Sequence, residues 1–144
     1  FGEGSLLKDE PRRYDIIALR ESRIAYMKRS RFHYLLDHSL FFNRFLLLQL
    51  NERLSQFIGM LEHERLLQPD ARLARCLAAL FNPLLYPGSS LELRISQEEI
   101  GLLAGMSRQR VNQALHRLAN FGLLRADYGT LTILDLDRLR RFGE

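Results

Sequence analysis

Two serines, Ser96 and Ser107, and the glycine two residues before the second, Gly105, constrain this chain more than any other feature. Ser96 followed by Glu99 has the spacing of a capping box: the serine hydroxyl accepts a backbone N–H of the first turn, and the glutamate accepts the N–H of the cap residue. A helix therefore starts after Ser96. It stops at Gly105, because glycine takes the left-handed conformation at a helix C-terminus at little cost. Ser107 then caps a second helix. Ala104 is small where two helices joined by so short a turn must cross closely. The pattern predicts a helix-turn-helix over residues 96–118.

Turning the second helix by about 100° per residue puts Val111, Leu115 and Leu118 on one face, with Ala114 at its edge. Gln109, Asn112, Gln113 and His116 fall opposite, Arg108 leads at the N-terminal end, and Arg110 and Arg117 flank. No acidic residue lies between Ser107 and Asn120. A solvated helix surface normally mixes charge signs, so this face is informative. Arg108, Gln109, Asn112 and Gln113 carry the paired donors and acceptors that read base edges. Ser107, at a helix N-terminus that attracts phosphate, is assigned to the DNA backbone together with Arg110 and Arg117. Residues 123–126 and 130–134, joined by Asp127-Tyr128-Gly129, read as a hairpin placed where a winged helix carries its wing. Residues 136–142 read as a short terminal helix.

The segment between Ser39 and Pro69 contains no proline and one glycine, Gly59. Leu47, Leu50, Leu54, Phe57 and Leu61 are spaced 3, 4, 3, 4, the stripe of a coiled coil. Phe45, Leu46, Leu48 and Ile58 widen the apolar surface beyond one stripe. Packing on its own domain would explain one face; the second calls for a partner helix, so the stripe predicts a homodimer. Pro69-Asp70 starts another helix over residues 71–81, with Leu73, Leu77 and Leu80 inward and Cys76 beside them. Residues 82–90 are loop, and the alternation of residues 91–95 is a short strand. Toward the N-terminus, residues 14–19 and 22–27 read as two strands, the stretch before Pro11 as loop, and Ser30 as the cap of a helix through Asp37.

Charge and composition narrow the function. Lys plus Arg number 21 and Asp plus Glu 17, a net charge of +4 carried almost wholly by arginine. Such a balance permits nucleic acid without requiring it. The single cysteine, Cys76, can form no disulfide within the chain and no cysteine metal cluster. No apolar run approaches the roughly 20 residues that cross a bilayer. The start, Phe1-Gly2-Glu3-Gly4, has neither an initiator Met nor a signal-peptide pattern, which points to a chain that begins in mid-protein and to the cytoplasm. No nucleophile stands with a base, no carboxylates pair in a cleft, and His33, His38, His63 and His116 are scattered, so an enzyme is not the reading. The alternative to a DNA reader is a winged helix that binds protein. That alternative would carry apolar or acidic residues where this chain has Arg, Gln, Asn and His.

In order along the chain, these features resemble the family of the cyclic-AMP receptor protein and the fumarate–nitrate reduction regulator. Gly2-Glu3 followed by Arg12-Arg13 is similar to that family's phosphate-binding cassette, the long helix to its dimerisation helix, and residues 97–118 to its helix-turn-helix. Arg108, Gln109 and Gln113 match its base-reading positions. The resemblance implies an α+β fold: a β-roll segment of the cyclic-nucleotide-binding type over residues 1–38, lacking its first half, a dimerisation helix over 39–68, and a winged helix-turn-helix over 69–144. It implies a homodimeric transcription regulator on a palindromic operator, with double-stranded DNA and RNA polymerase as partners and an effector held at Gly2, Glu3, Arg13 and Tyr14. The chain departs from the cyclic-AMP-binding members at Tyr14, where they have Ser or Thr, and at Phe57 and Ile58, where they place hydroxyl residues against adenine. Cyclic AMP is therefore not the expected ligand. Gln109 and Gln113 stand where the family often has Glu and Arg, so a different operator is expected.

Overall fold

A computed structural model of the chain describes residues 2–18, 20–66 and 68–143, leaving aside the side chains of residues 64–66. It divides into two compact units, Phe1–Leu48 and Gln49–Glu144.

In the first unit, α1 (Glu3–Lys8) and α2 (Arg29–His38) precede α3 (Leu40–Leu66), which runs on into the second. Here the structure corrects the sequence reading. Residues 14–18 and 20–28 form no strand, and residue 19 lies outside the described residues. A strand persists only when a neighbouring edge takes up its N–H and C=O groups. These two runs do not pair, and Ile16, Ile17, Ile24 and Tyr26 stay exposed. Among the described residues the first unit therefore holds no β-roll strand. The stretch expected as loop before Pro11 contains α1, with Glu3 in its first turn and Lys8 in its last, the signs that suit a helix dipole. Ser30 does not cap α2. The helix starts at Arg29 behind an extended Lys28, so Ser30 sits inside the first turn.

The α2–α3 corner is built by Ser39 and Asn43. The Ser39 hydroxyl accepts the Phe42 N–H at 3.2 Å, capping α3, and Asn43 Nδ2 donates to the carbonyls of Leu36 at 2.6 Å and Ser39 at 3.0 Å. The rings of Phe32 and Phe42 meet edge to face, 5.5 Å apart.

The second unit carries the core. Its elements after α3 are α4 (Pro69–Ala79), β1 (Glu92–Leu93), α5 (Gln97–Ala104), α6 (Arg108–Asn120), β2 (Leu124–Asp127), β3 (Thr130–Ile133) and α7 (Leu136–Arg140). Pro69 occupies the first helical position of α4, where a missing N–H costs nothing. Leu73 and Leu77 of α4, Ile100 of α5, Val111, Leu115 and Leu118 of α6, Leu131 and Ile133 of β3, and Leu139 of α7 bury together. Each such side chain contributes on the order of 2 kcal/mol. The strands form one antiparallel sheet in the order β1-β3-β2, with Glu92 opposite Thr132 and Leu124 opposite Ile133.

The polar side of α3 faces the rest of this unit. Gln49 Nε2 donates to the Leu84 carbonyl at 2.7 Å, Gln56 Nε2 to the Ala79 carbonyl at 3.1 Å, and Asn82 Nδ2 to Glu52 Oε2 at 3.0 Å. On the other side of the helix Leu54, Phe57 and Leu61 are 59, 64 and 58% exposed.

Candidate nucleic-acid interface

Capping fixes α5 at its start. The Ser96 hydroxyl accepts the Glu99 N–H at 3.2 Å, and Glu99 Oε2 accepts the Ser96 N–H at 2.7 Å. At the other end Gly105 adopts φ 59°, ψ 41°, and the Met106 N–H reaches back to the Gly101 carbonyl at 2.9 Å. Gly101 matters as much as Gly105. A Cβ there would lie 2.8 Å from the Met106 carbonyl oxygen, so only glycine lets the turn fold back over α5. Sequence reasoning singled out Ala104 for this close approach and missed Gly101; its position one turn before the helix-ending glycine was the available signal.

Ser107 starts α6 by accepting the Arg110 N–H at 3.4 Å. Val111, Ala114, Leu115 and Leu118 are buried as the projection required. Arg108, Gln109, Arg110, Gln113, His116 and Arg117 are exposed, and Asn112 is half-buried. The structure therefore brings Arg108, Gln109, Asn112 and Gln113 together on one solvent-facing side of α6, with no carboxylate along the helix. Arg117 has a tie to α4: its Nη1 lies 3.0 Å from Asp70 Oδ2. A second cation supports the turn from α4, where Arg72 Nη2 donates to the Gly105 carbonyl at 3.4 Å.

The wing lies beside the start of α6. Arg108 borders a groove of about 430 Å³ together with Gln97 and Glu98 of α5 and Tyr128 and Thr130 of the wing. Tyr128 is fully exposed at the tip, where Gly129 supplies φ 71°, and Arg125 Nε is held by Asp127 Oδ2 at 3.1 Å. The hairpin was legible in the sequence, but Tyr128 was not singled out, because only the fold sets it beside Arg108.

The other expected sites lie apart from this surface in the sequence. Gly2 is left-handed, φ 93°, and a Cβ there would meet the Arg12 guanidinium at 2.8 Å. Arg13 pairs with Glu10 at 2.9 Å, Tyr14 is exposed, and Glu3 opens α1. Along α3, Leu47, Leu54, Phe57 and Leu61 are exposed, while Leu50 is half-buried. Among the described residues no group of His, Cys, Asp and Glu could hold a metal, and no helix is long and apolar enough to cross a membrane.

A capped helix, a glycine turn, a second helix with an exposed acid-free face and an adjoining three-stranded wing define a winged helix-turn-helix DNA-binding domain. The Crp-like helix-turn-helix domain matches residues 71–142. The chain belongs to this Crp-like family. The crystal structure of Thermus thermophilus catabolite activator protein is similar at 26% identity and a TM-score of 0.44, over 78% of this chain and 53% of that one. The chain thus spans about half the length of that protein. No match was found among curated proteins.

Proposed function

We propose that the chain binds a palindromic operator as a symmetric homodimer and that an effector sensed in the N-terminal domain controls it. The observation that carries the reading is the face of α6: Arg108, Gln109 and Gln113 exposed, Asn112 half-buried beside them, and no Asp or Glu along the helix. Inserted into a major groove, Arg108 has the reach and fork geometry for guanine O6 and N7. Gln109 and Gln113 can each pair bidentately with adenine, and Asn112 is a further reader. Ser107 and the start of α6 face the phosphate backbone, where Arg110 and Arg117 add charge. The dimer forms through Leu47, Leu50, Leu54, Phe57 and Leu61. Two copies of α6 then meet half-sites roughly 34 Å apart. RNA polymerase is the partner at the promoter.

Selection of bound sequences from a random duplex pool, followed by gel shifts across a salt series, tests this. The expected result is a two-fold symmetric site and an affinity that falls steeply with salt. No enrichment, with salt-independent binding to a protein partner, would instead make the domain a protein-interaction winged helix.

A further inference from the structure

Three arginines lie along α6, and one of them is held inside the protein. Among the described residues Arg117 pairs with a carboxylate, Asp70 of α4, whereas Arg108 and Arg110 have no ion pair. Arg117 follows Gln113 by one turn and Arg110 by two, and residues so spaced share a flank of a helix. All three side chains are exposed. The cation that carries the positive flank of α6 to its C-terminal end is therefore the one already engaged.

The pair is made so that it can open. A single approach joins it, Arg117 Nη1 to Asp70 Oδ2 at 3.0 Å. The other carboxylate oxygen, Oδ1, is buried and meets no hydrogen-bond partner among the described residues, so the guanidinium is not gripped by the two-bond fork of a strong arginine–carboxylate pair. The solvated Arg117 head keeps further N–H groups for another acceptor. Asp70 lies in the first turn of α4, where the positive end of the helix dipole also offsets its charge. Losing Arg117 does not leave that carboxylate without electrostatic support.

We infer that Asp70 is a positioning residue that competes with DNA for Arg117. In the free protein it holds the guanidinium against α4; on binding, the guanidinium exchanges the carboxylate for a phosphate oxygen. One ion pair replaces another. A phosphate contact carries no sequence information, so breaking the Asp70 pair lowers affinity for every duplex alike. Asp70 thereby restrains the sequence-independent part of binding and leaves discrimination to Arg108 and its neighbours. The inference rests on the reading of α6 as the DNA-contacting helix.

The test is a double-mutant cycle of Asp70→Asn and Arg117→Ala, read both by urea melts and by titration with the selected operator and a scrambled duplex. Asp70→Asn should melt at lower urea and yet bind both duplexes more tightly. A purely structural role would weaken binding together with stability. In the Arg117→Ala background the same change should tighten binding by about two- to fivefold less for each bound subunit, the contribution of one largely exposed pair. Asp70→Ser, which keeps a polar side chain at the helix start, should reproduce the gain if Asp70→Asn folds poorly. Equal tightening in the two backgrounds would make Asp70 a general repulsive charge and overturn the exchange. So would binding that is unchanged or weaker in both Asp70 variants while the parent binds DNA. A parent chain that binds no duplex removes the reading of α6, and the exchange falls with it.

Discussion

Arg117 in the last turn of α6 and Asp70 in the first turn of α4 form an ion pair at 3.0 Å, with the Asp70 side chain 17% and the Arg117 side chain 59% exposed. The pair ties the proposed reading helix to the helix that follows α3. Because Arg117 is largely solvated, the pair contributes modestly, about 0.5–1 kcal/mol in a double-mutant cycle with Asp70→Ala. Arg117→Ala should lower stability by about that amount in urea melts. It should also flatten the dependence of log K on log salt by about one unit per subunit, since a phosphate contact is lost. An unchanged salt slope would assign Arg117 to structure alone.

Arg108→Ala should behave differently. As a base reader, Arg108 discriminates one base pair per half-site, and its loss should cost roughly 1–3 kcal/mol on the selected operator with little effect on a scrambled duplex. Titrations of both duplexes decide it. An equal loss on the two would make Arg108 a phosphate contact.

Leu54→Glu with Leu61→Glu should give a monomer that no longer binds the operator. Both side chains are more than half exposed on α3, opposite the polar side that bonds to residues 79–84. Sedimentation at micromolar concentration is the measurement; a parent chain that is already monomeric there removes the dimer proposal.

Gly101→Ala should destabilise the second unit by about 1–3 kcal/mol. The new methyl would sit 2.8 Å from the Met106 carbonyl, a backbone atom that can yield only by opening the turn. Operator binding should weaken with it. A variant that melts and binds like the parent would show that α5 and the turn can separate freely.

Cyclic AMP should not bind with micromolar affinity. By the resemblance to the cyclic-AMP-binding members, Tyr14 would stand where they have Ser or Thr, and Phe57 and Ile58 where they place hydroxyl residues against adenine. Calorimetry on the protein is the check, and a saturable micromolar isotherm would refute the expectation.

The helix-turn-helix was readable from residues 96–118 because every signal in it is local. The capping box spans four residues, Ser96 to Glu99, the glycine turn depends on one φ angle, and the buried face of α6 repeats with the helical period. The wing was readable for the same reason, as a turn between two short alternating runs. The N-terminal stretch misled because β propensity in residues 14–27 has no value without a paired edge, and pairing is not a property of either run alone.

What the sequence determined by itself, then, was the order of the helices from α2 onward and the chemistry of α6: caps, breakers and periodicity act within a turn or two of the chain. Tertiary structure decided which residues meet across it. Only the fold sets Asp70 against Arg117, Arg72 against Gly105, and β1 beside β3. Only the fold turns Gln49, Glu52 and Gln56 inward, leaving Leu54, Phe57 and Leu61 exposed. These contacts join residues tens of positions apart, and their geometry follows from how the helices pack rather than from any local pattern.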